Sequence, residues 1–191
     1  LRPVFMERRA ADCDKAIITI ARNIGEALDR DYVEGEYLLS PQERDMISAV
    51  CDIFHKAGKK VIIVVNTGSP IELGRECIEK ADAILLAWQP GQEGGRAVAD
   101  VLLGKTVPSG KLTATWAKRY EQYPCASSFG YLNGDLTKDE YREGIFAGYR
   151  YFDRCALEPL FPFGFGLSYT KFSMEPQDVF AVEDGLKIKV K

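Results

Sequence analysis

Five carboxylates, Glu26, Asp29, Asp31, Glu34 and Glu36, crowd the stretch that follows the apolar run AIITIA, and the first of them comes directly after Gly25. Carboxylates in close succession can serve general acid/base chemistry when their surroundings push their pKa values apart. A solvated acidic surface loop has the same composition. Three features single out Glu26: the loop leaves the carboxyl end of an apolar segment, the acid follows a glycine, and about twenty residues pass before the next helix cap. These features nominate a residue without naming a reaction.

Other chemistry-bearing patterns are weaker. Cys51 and His55 stand four apart on one helical face, but two ligands without a nearby second pair fall short of a metal site, and helix packing is the expected role. Gly104-Lys105-Thr106 resembles the end of a phosphate loop, yet Ala99 stands where the pattern needs Gly and a helix should begin there, not end. GQEGG lies between a strand and a helix, where open α/β sheets bind ligands; Glu93 there is read first as a favourable partner of the helix dipole. No GxSxG elbow accompanies the lone histidine. No cofactor and no metal are expected.

The elements that must position these residues are legible. Lys15 to Ala21 reads as a buried β-branched strand and Val61 to Val65 as a central one, with Ala83 to Trp88 as a third. Ser40-Pro41-Gln42-Glu43 is a capping box with Pro at the first helical position, and Met46, Ile47, Val50, Cys51 and Phe54 recur at helical spacing until Gly58. A short helix running through Cys77 follows the NTGSP turn. A further helix carries Ala97, Val98, Val101 and Leu102 and stops at Gly104. Strands alternating with amphipathic helices predict an α/β fold, a mostly parallel sheet covered by helices on both faces. Beyond VPSGK the order changes. Leu112 to Trp116 is expected as one more short strand, Tyr120 to Arg142 as an irregular arm, and LKIKVK as a strand that stops before it has a partner.

Composition limits the function. The 191 residues are 46% apolar and carry 25 Lys plus Arg against 28 Asp plus Glu, with no basic block, so nucleic acid is not an expected partner. No apolar run reaches the length of a membrane span, and no membrane partner is expected. The five cysteines lack CxxC spacing and are odd in number, which fits free thiols and favours a reducing, cytoplasmic setting. Periplasmic or secreted locations stay open, because the sequence starts at Leu1 and not at a Met.

The succession AADCDKAIITIARNIGEALDRD, EGEYLLSPQERDMI, GKKVIIVVNTGSPIEL, GQEGGRAVADVLLGKTVPSGKLTATW, EGIFAGYRYFD and PLFPFGFGLSYTKF resembles the second, α/β sandwich domain of family 3 glycoside hydrolases. The resemblance spans about Ala10 to Phe172. It implies a retaining β-glycosidase, with β-glucosidase first and β-xylosidase next, in which a barrel domain supplies an Asp nucleophile and the sandwich domain a Glu acid/base. The family pattern at that loop is Gly-Glu-Gly-x-Asp-Arg. Gly25, Glu26, Asp29 and Arg30 match it, with Ala27 in place of the second glycine. The resemblance thus makes Glu26 the expected general acid/base and Asp29 and Arg30 its supporting residues.

It also implies an incomplete α/β sandwich. Residues 1–158 are expected as a partial domain carrying the acid/base loop, and 159–191 as an aromatic, Gly-rich extension leading toward a fibronectin-like domain. The expected partners are an absent barrel domain, the upstream part of the sandwich, and a β-linked oligosaccharide or aryl glycoside. A non-catalytic carbohydrate- or partner-binding α/β domain is the alternative of another class, and a nucleotide-binding domain a more distant one.

Overall fold

The computed structural model describes residues 3–23, 30–129, 135, 137, 138 and 140–191. Its core is a three-stranded parallel sheet in the order β1-β2-β3, formed by β1 (Lys15–Arg22), β2 (Lys60–Thr67) and β3 (Ala83–Leu86). Ile18 lies opposite Ile63 and Ile20 opposite Val65, and Ile63 lies beside Ile84, so β-branched side chains line one face in register. The third strand ends two residues before the expected Trp88. Trp88 instead takes a positive φ of 52° and packs near Trp116, with 6.1 Å between ring centroids.

Helix α1 (Pro3–Asp12) precedes β1, and α2 (Pro41–Lys56) joins β1 to β2. The capping box that opens α2 is formed: Ser40 Oγ accepts from the Glu43 amide at 3.2 Å, and the Ser40 amide donates to the Glu43 carboxylate at 2.8 Å. At the other end Gly58 takes φ 71°, which lets the Lys59 amide donate to Phe54 O at 2.8 Å and the Gly58 amide to His55 O at 2.9 Å. Between these stops Ile47, Cys51 and Phe54 bury against Ile18, Ile20, Val61, Ile63 and Val65. Helix α3 (Gly74–Lys80) brings Cys77 into the same cluster, and α4 (Gly94–Leu102) ends at Gly104.

Helical cover is present on the α2 side. On the opposite face Ile17 of β1 is 56% exposed and Thr19 and Ala21 are exposed as well, so the expected cover on both faces is not present along β1. The predicted strand Leu112 to Trp116 is not one. Only Trp116 forms a bridge, antiparallel with Phe161, while the Trp116 indole donates to Ile71 O at 2.7 Å. The burial of that ring decides the local backbone. Helix α5 (Tyr149–Arg154) was not legible in the aromatic segment. The chain's last strand does find a partner: β4 (Pro176–Val182) and β5 (Gly185–Val190) form an antiparallel hairpin, exposed throughout. The sequence reading missed β4 because Pro176 and Asp178 dilute its alternation.

Candidate functional site at the carboxyl edge of the sheet

The acid-rich segment leaves β1 at its carboxyl end, the edge where parallel α/β sheets place their ligand-binding loops. Glu26 and Asp29 lie outside the described residues. Arg30 and the loop that returns to Ser40 are described, and this return is held by an arginine pair of contrasting character.

Arg22, the last residue of β1, has a side chain only 7% exposed, and all of its nitrogens are used. Both Nη atoms donate to the Glu43 carboxylate at 2.7 Å, Nε donates to Glu36 O at 2.9 Å, and further bonds reach Ala21 O and Leu38 O. Burial by itself would raise the pKa of Glu43. The bonds from Arg22 and Ser40 outweigh it and hold the carboxyl below the usual range. Arg30 is also buried, its side chain 6% exposed, but Nε, Nη1 and Nη2 have no hydrogen-bond partner among the described residues. Glu36 Oε2 stands 3.6 Å from Nη1, close enough for attraction and too far for a hydrogen bond. Burial, with Arg22 nearby, lowers the pKa of Arg30 against the opposing pull of Glu36.

The rest of the loop is sewn down by backbone and rings. Leu38 bridges to Glu34 and Glu72, and the Glu72 amide donates to Tyr37 O at 2.9 Å. Tyr32 stacks on Tyr120 with centroids 4.7 Å apart, Tyr37 meets Tyr120 edge-on at 5.2 Å, and the cluster continues through Tyr123 to Phe152. The Tyr32 hydroxyl donates to Glu121 Oε1 at 2.7 Å, and burial, with that carboxylate, pushes its pKa up to about 12. Burial and Tyr123 raise that of Tyr37 as well. Burial likewise raises the Glu72 carboxyl, which accepts from the Tyr120 amide at 3.2 Å. Asp31 is exposed.

Sequence reasoning missed Arg22, Glu72 and the tyrosine cluster. Arg22 carried a signal, being a charge at the end of an apolar strand; Tyr32 and Tyr120 meet across 88 residues of sequence and carried none. Tyr123 is used in this cluster, and its hydroxyl accepts from the Ala117 amide at 3.1 Å. The weaker motifs fall elsewhere. His55 Nε2 lies 2.8 Å from Asp82 Oδ2, at the amino edge of the sheet, where Asp82 also accepts from Lys60 and the Val61 amide. Cys51 is buried in the core, Glu93 is exposed before α4, and Gly104 ends that helix. All five cysteines are free. No group of three or more His, Cys, Asp or Glu able to hold a metal occurs among the described residues, and no described helix is long and apolar enough to cross a membrane.

Residues 5–169 match the model of the glycosyl hydrolase family 3 C-terminal domain. The chain belongs to this family. The family 3 domain is 39% identical over 188 residues to a beta-glucosidase of Ruminococcus albus, covering 98% of this chain and 19% of that protein. To a beta-glucosidase of Kluyveromyces marxianus it is 36% identical, covering 95% of this chain and 20% of that protein. Among solved structures, beta-glucosidase 3B from Thermotoga neapolitana in complex with glucose superposes with a TM-score of 0.88 at 42% identity, over 100% of this chain and 26% of that one. The family 3 domain therefore spans about a fifth of the length of the curated relatives it matches.

Proposed function

We propose that this chain is the acid/base-bearing part of a retaining β-glycosidase, most simply a β-glucosidase, that works joined to further polypeptide carrying the Asp nucleophile on a barrel domain. Family membership carries the reading, together with the place of the loop at the carboxyl end of β1. Relatives named as beta-glucosidases, one of them solved with glucose, support a terminal β-linked glucose as the sugar, presented on an oligosaccharide or an aryl glycoside.

In this reading Glu26 has two tasks. Protonated, it donates to the glycosidic oxygen as the nucleophile attacks the anomeric carbon; ionised, it takes a proton from the water that releases the sugar. The two carboxyl groups must then stand about 5–5.5 Å apart, as retention requires. Asp29 and Arg30 support the loop. The firm anchoring of residues 30–40 to α2, Glu72 and the tyrosine cluster gives the acid/base loop one fixed end, and a fixed loop costs less to align for proton transfer.

Replacing Glu26 by Gln in the longer enzyme tests the assignment. Glycosides with poor leaving groups should lose most of their turnover, activated aryl glycosides should keep their first step, and azide should restore release of the sugar. Uniform losses across leaving groups, with no response to azide, would reject it.

A further inference from the structure

Tyr32 is 41% exposed although it stands in the cluster with Tyr37, Tyr120 and Tyr123. One face of its ring lies on Tyr120, with centroids 4.7 Å apart and planes 23° from parallel. Tyr37 stands 5.9 Å from Tyr32 and 5.2 Å from Tyr120, so the three centroids close a compact triangle and Tyr37 is on the same side of the Tyr32 ring as Tyr120. Among the described residues no aromatic ring covers the opposite face. The ring is also held in place. Its hydroxyl donates to Glu121 Oε1 at 2.7 Å, and behind Tyr120 the edge contacts run through Tyr123 to the buried Phe152. A fixed aromatic face open to solvent can take the C–H face of a sugar, or a second aromatic ring, at little entropic cost.

The place of Tyr32 in the chain selects which ring. Arg22, before the loop that holds Glu26, donates to Glu36 O, and Arg30, after it, stands 3.6 Å from Glu36 Oε2, so both flanks of that loop lie against one residue. Tyr32 follows Arg30 by two positions in the sequence. In the proposed reaction the general acid delivers its proton to the glycosidic oxygen, the atom that departs with the leaving group, whereas the nucleophile approaches the anomeric carbon of the terminal sugar. Side chains beside the acid-bearing loop therefore belong to the leaving-group side of the scissile bond.

We propose that the open face of Tyr32 stacks on the first ring of the leaving group, the second sugar of a β-linked oligosaccharide or an aryl ring, and that Tyr32 thereby sets leaving-group specificity. The proposal rests on the reading of this chain as the acid/base-bearing part of a β-glycosidase. Burial and Glu121 keep the phenol protonated at neutral pH, so the stacking ring carries no charge.

The test compares Tyr32→Ala and Tyr32→Phe with the parent in the longer enzyme, on cellobiose, phenyl β-glucoside and methyl β-glucoside. Tyr32→Ala should lower kcat/KM about tenfold on the substrates whose leaving group is a ring, the upper worth of one stacked ring, and by less than about twofold on methyl β-glucoside, which has no ring to stack. Tyr32→Phe keeps the ring and should stay within about twofold of the parent on all three. A loss on cellobiose alone assigns the sugar as the stacked ring, and a loss on phenyl β-glucoside alone assigns the aryl group; both support the proposal. Equal losses on all three substrates would make Tyr32 a prop for the loop, and no loss on any would leave its open face without a ligand. Either result overturns the proposal, as does a loss with Phe as large as with Ala, which would move the effect to the hydroxyl and its bond to Glu121. If Tyr32→Ala does not fold, Tyr32→Leu, apolar but without a ring, should give the same pattern. Glu26 is intact in every variant and each comparison is made on one substrate, so this proposal fails on leaving-group shape, whereas the Glu26 assignment fails on leaving-group acidity and the response to azide.

Discussion

Arg22 and Glu43 form a bidentate pair, 2.7 Å at both contacts, that fastens the last residue of β1 to the first turn of α2. Glu43 meanwhile closes the capping box with Ser40, so one carboxylate fixes both the helix start and the strand end from which the acid-rich loop departs.

Glu43→Gln should therefore destabilise by about 3 kcal/mol at pH 7, since it leaves a buried guanidinium facing a neutral amide. Glu43 has a folded pKa below its unfolded one, so its contribution is complete above the unfolded value and is lost as pH falls through the folded value. Urea unfolding of both proteins at pH 7 and near pH 4 should show the difference shrinking in acid. A difference independent of pH would place the energy in packing and not in the charge.

Trp116 is 2% exposed, and its indole N–H reaches Ile71 O at 2.7 Å across 45 residues of sequence. Trp116→Phe removes the donor and leaves both a stranded carbonyl and a small cavity. A loss of about 2–3 kcal/mol is expected. The same unfolding measurement checks it, and a loss below about 0.5 kcal/mol would show that the bond is easily replaced.

The Tyr32 phenol is pushed up to about 12, chiefly by burial and then by Glu121. Spectrophotometric titration of Glu121→Gln, compared with the parent, should show one tyrosine ionising at lower pH, because its hydroxyl no longer donates to a charged acceptor. An unaltered titration curve would mean that Tyr32 and Glu121 do not interact in solution.

Under the proposed function, Glu26→Gln should lower kcat on poor leaving groups by about 10²–10⁴-fold, the usual worth of a positioned general acid. The loss on activated aryl glycosides should be relieved by azide. Steady-state kinetics over a leaving-group series, with and without azide, gives the answer.

Sequence alone determined the elements whose signals are local. Apolar β-branched runs fix β1 and β2, the Ser40 to Glu43 box starts α2, and Gly58 and Gly104 end helices because a positive φ is needed there. It also carried the family resemblance, because GEALDR, GQEGGRAVADVLLG and FPFGFGLSY occur in that order, and residues 5–169 match the family model. Tertiary structure decided what depends on distant partners. Leu112 to Trp116 has strand-like residues but finds only a bridge to Phe161, since the Trp116 ring is drawn into the core. Tyr32, Tyr37, Tyr120 and Tyr123 meet only because the loop after Arg30 folds back against Glu72. Arg22 and Arg30 look alike in sequence, two arginines flanking one acidic loop. Folding gives the first a bidentate carboxylate from α2 and buries the second beside Glu36 with no hydrogen-bond partner among the described residues, because hydrogen-bond satisfaction is a property of three-dimensional neighbours and not of residue type.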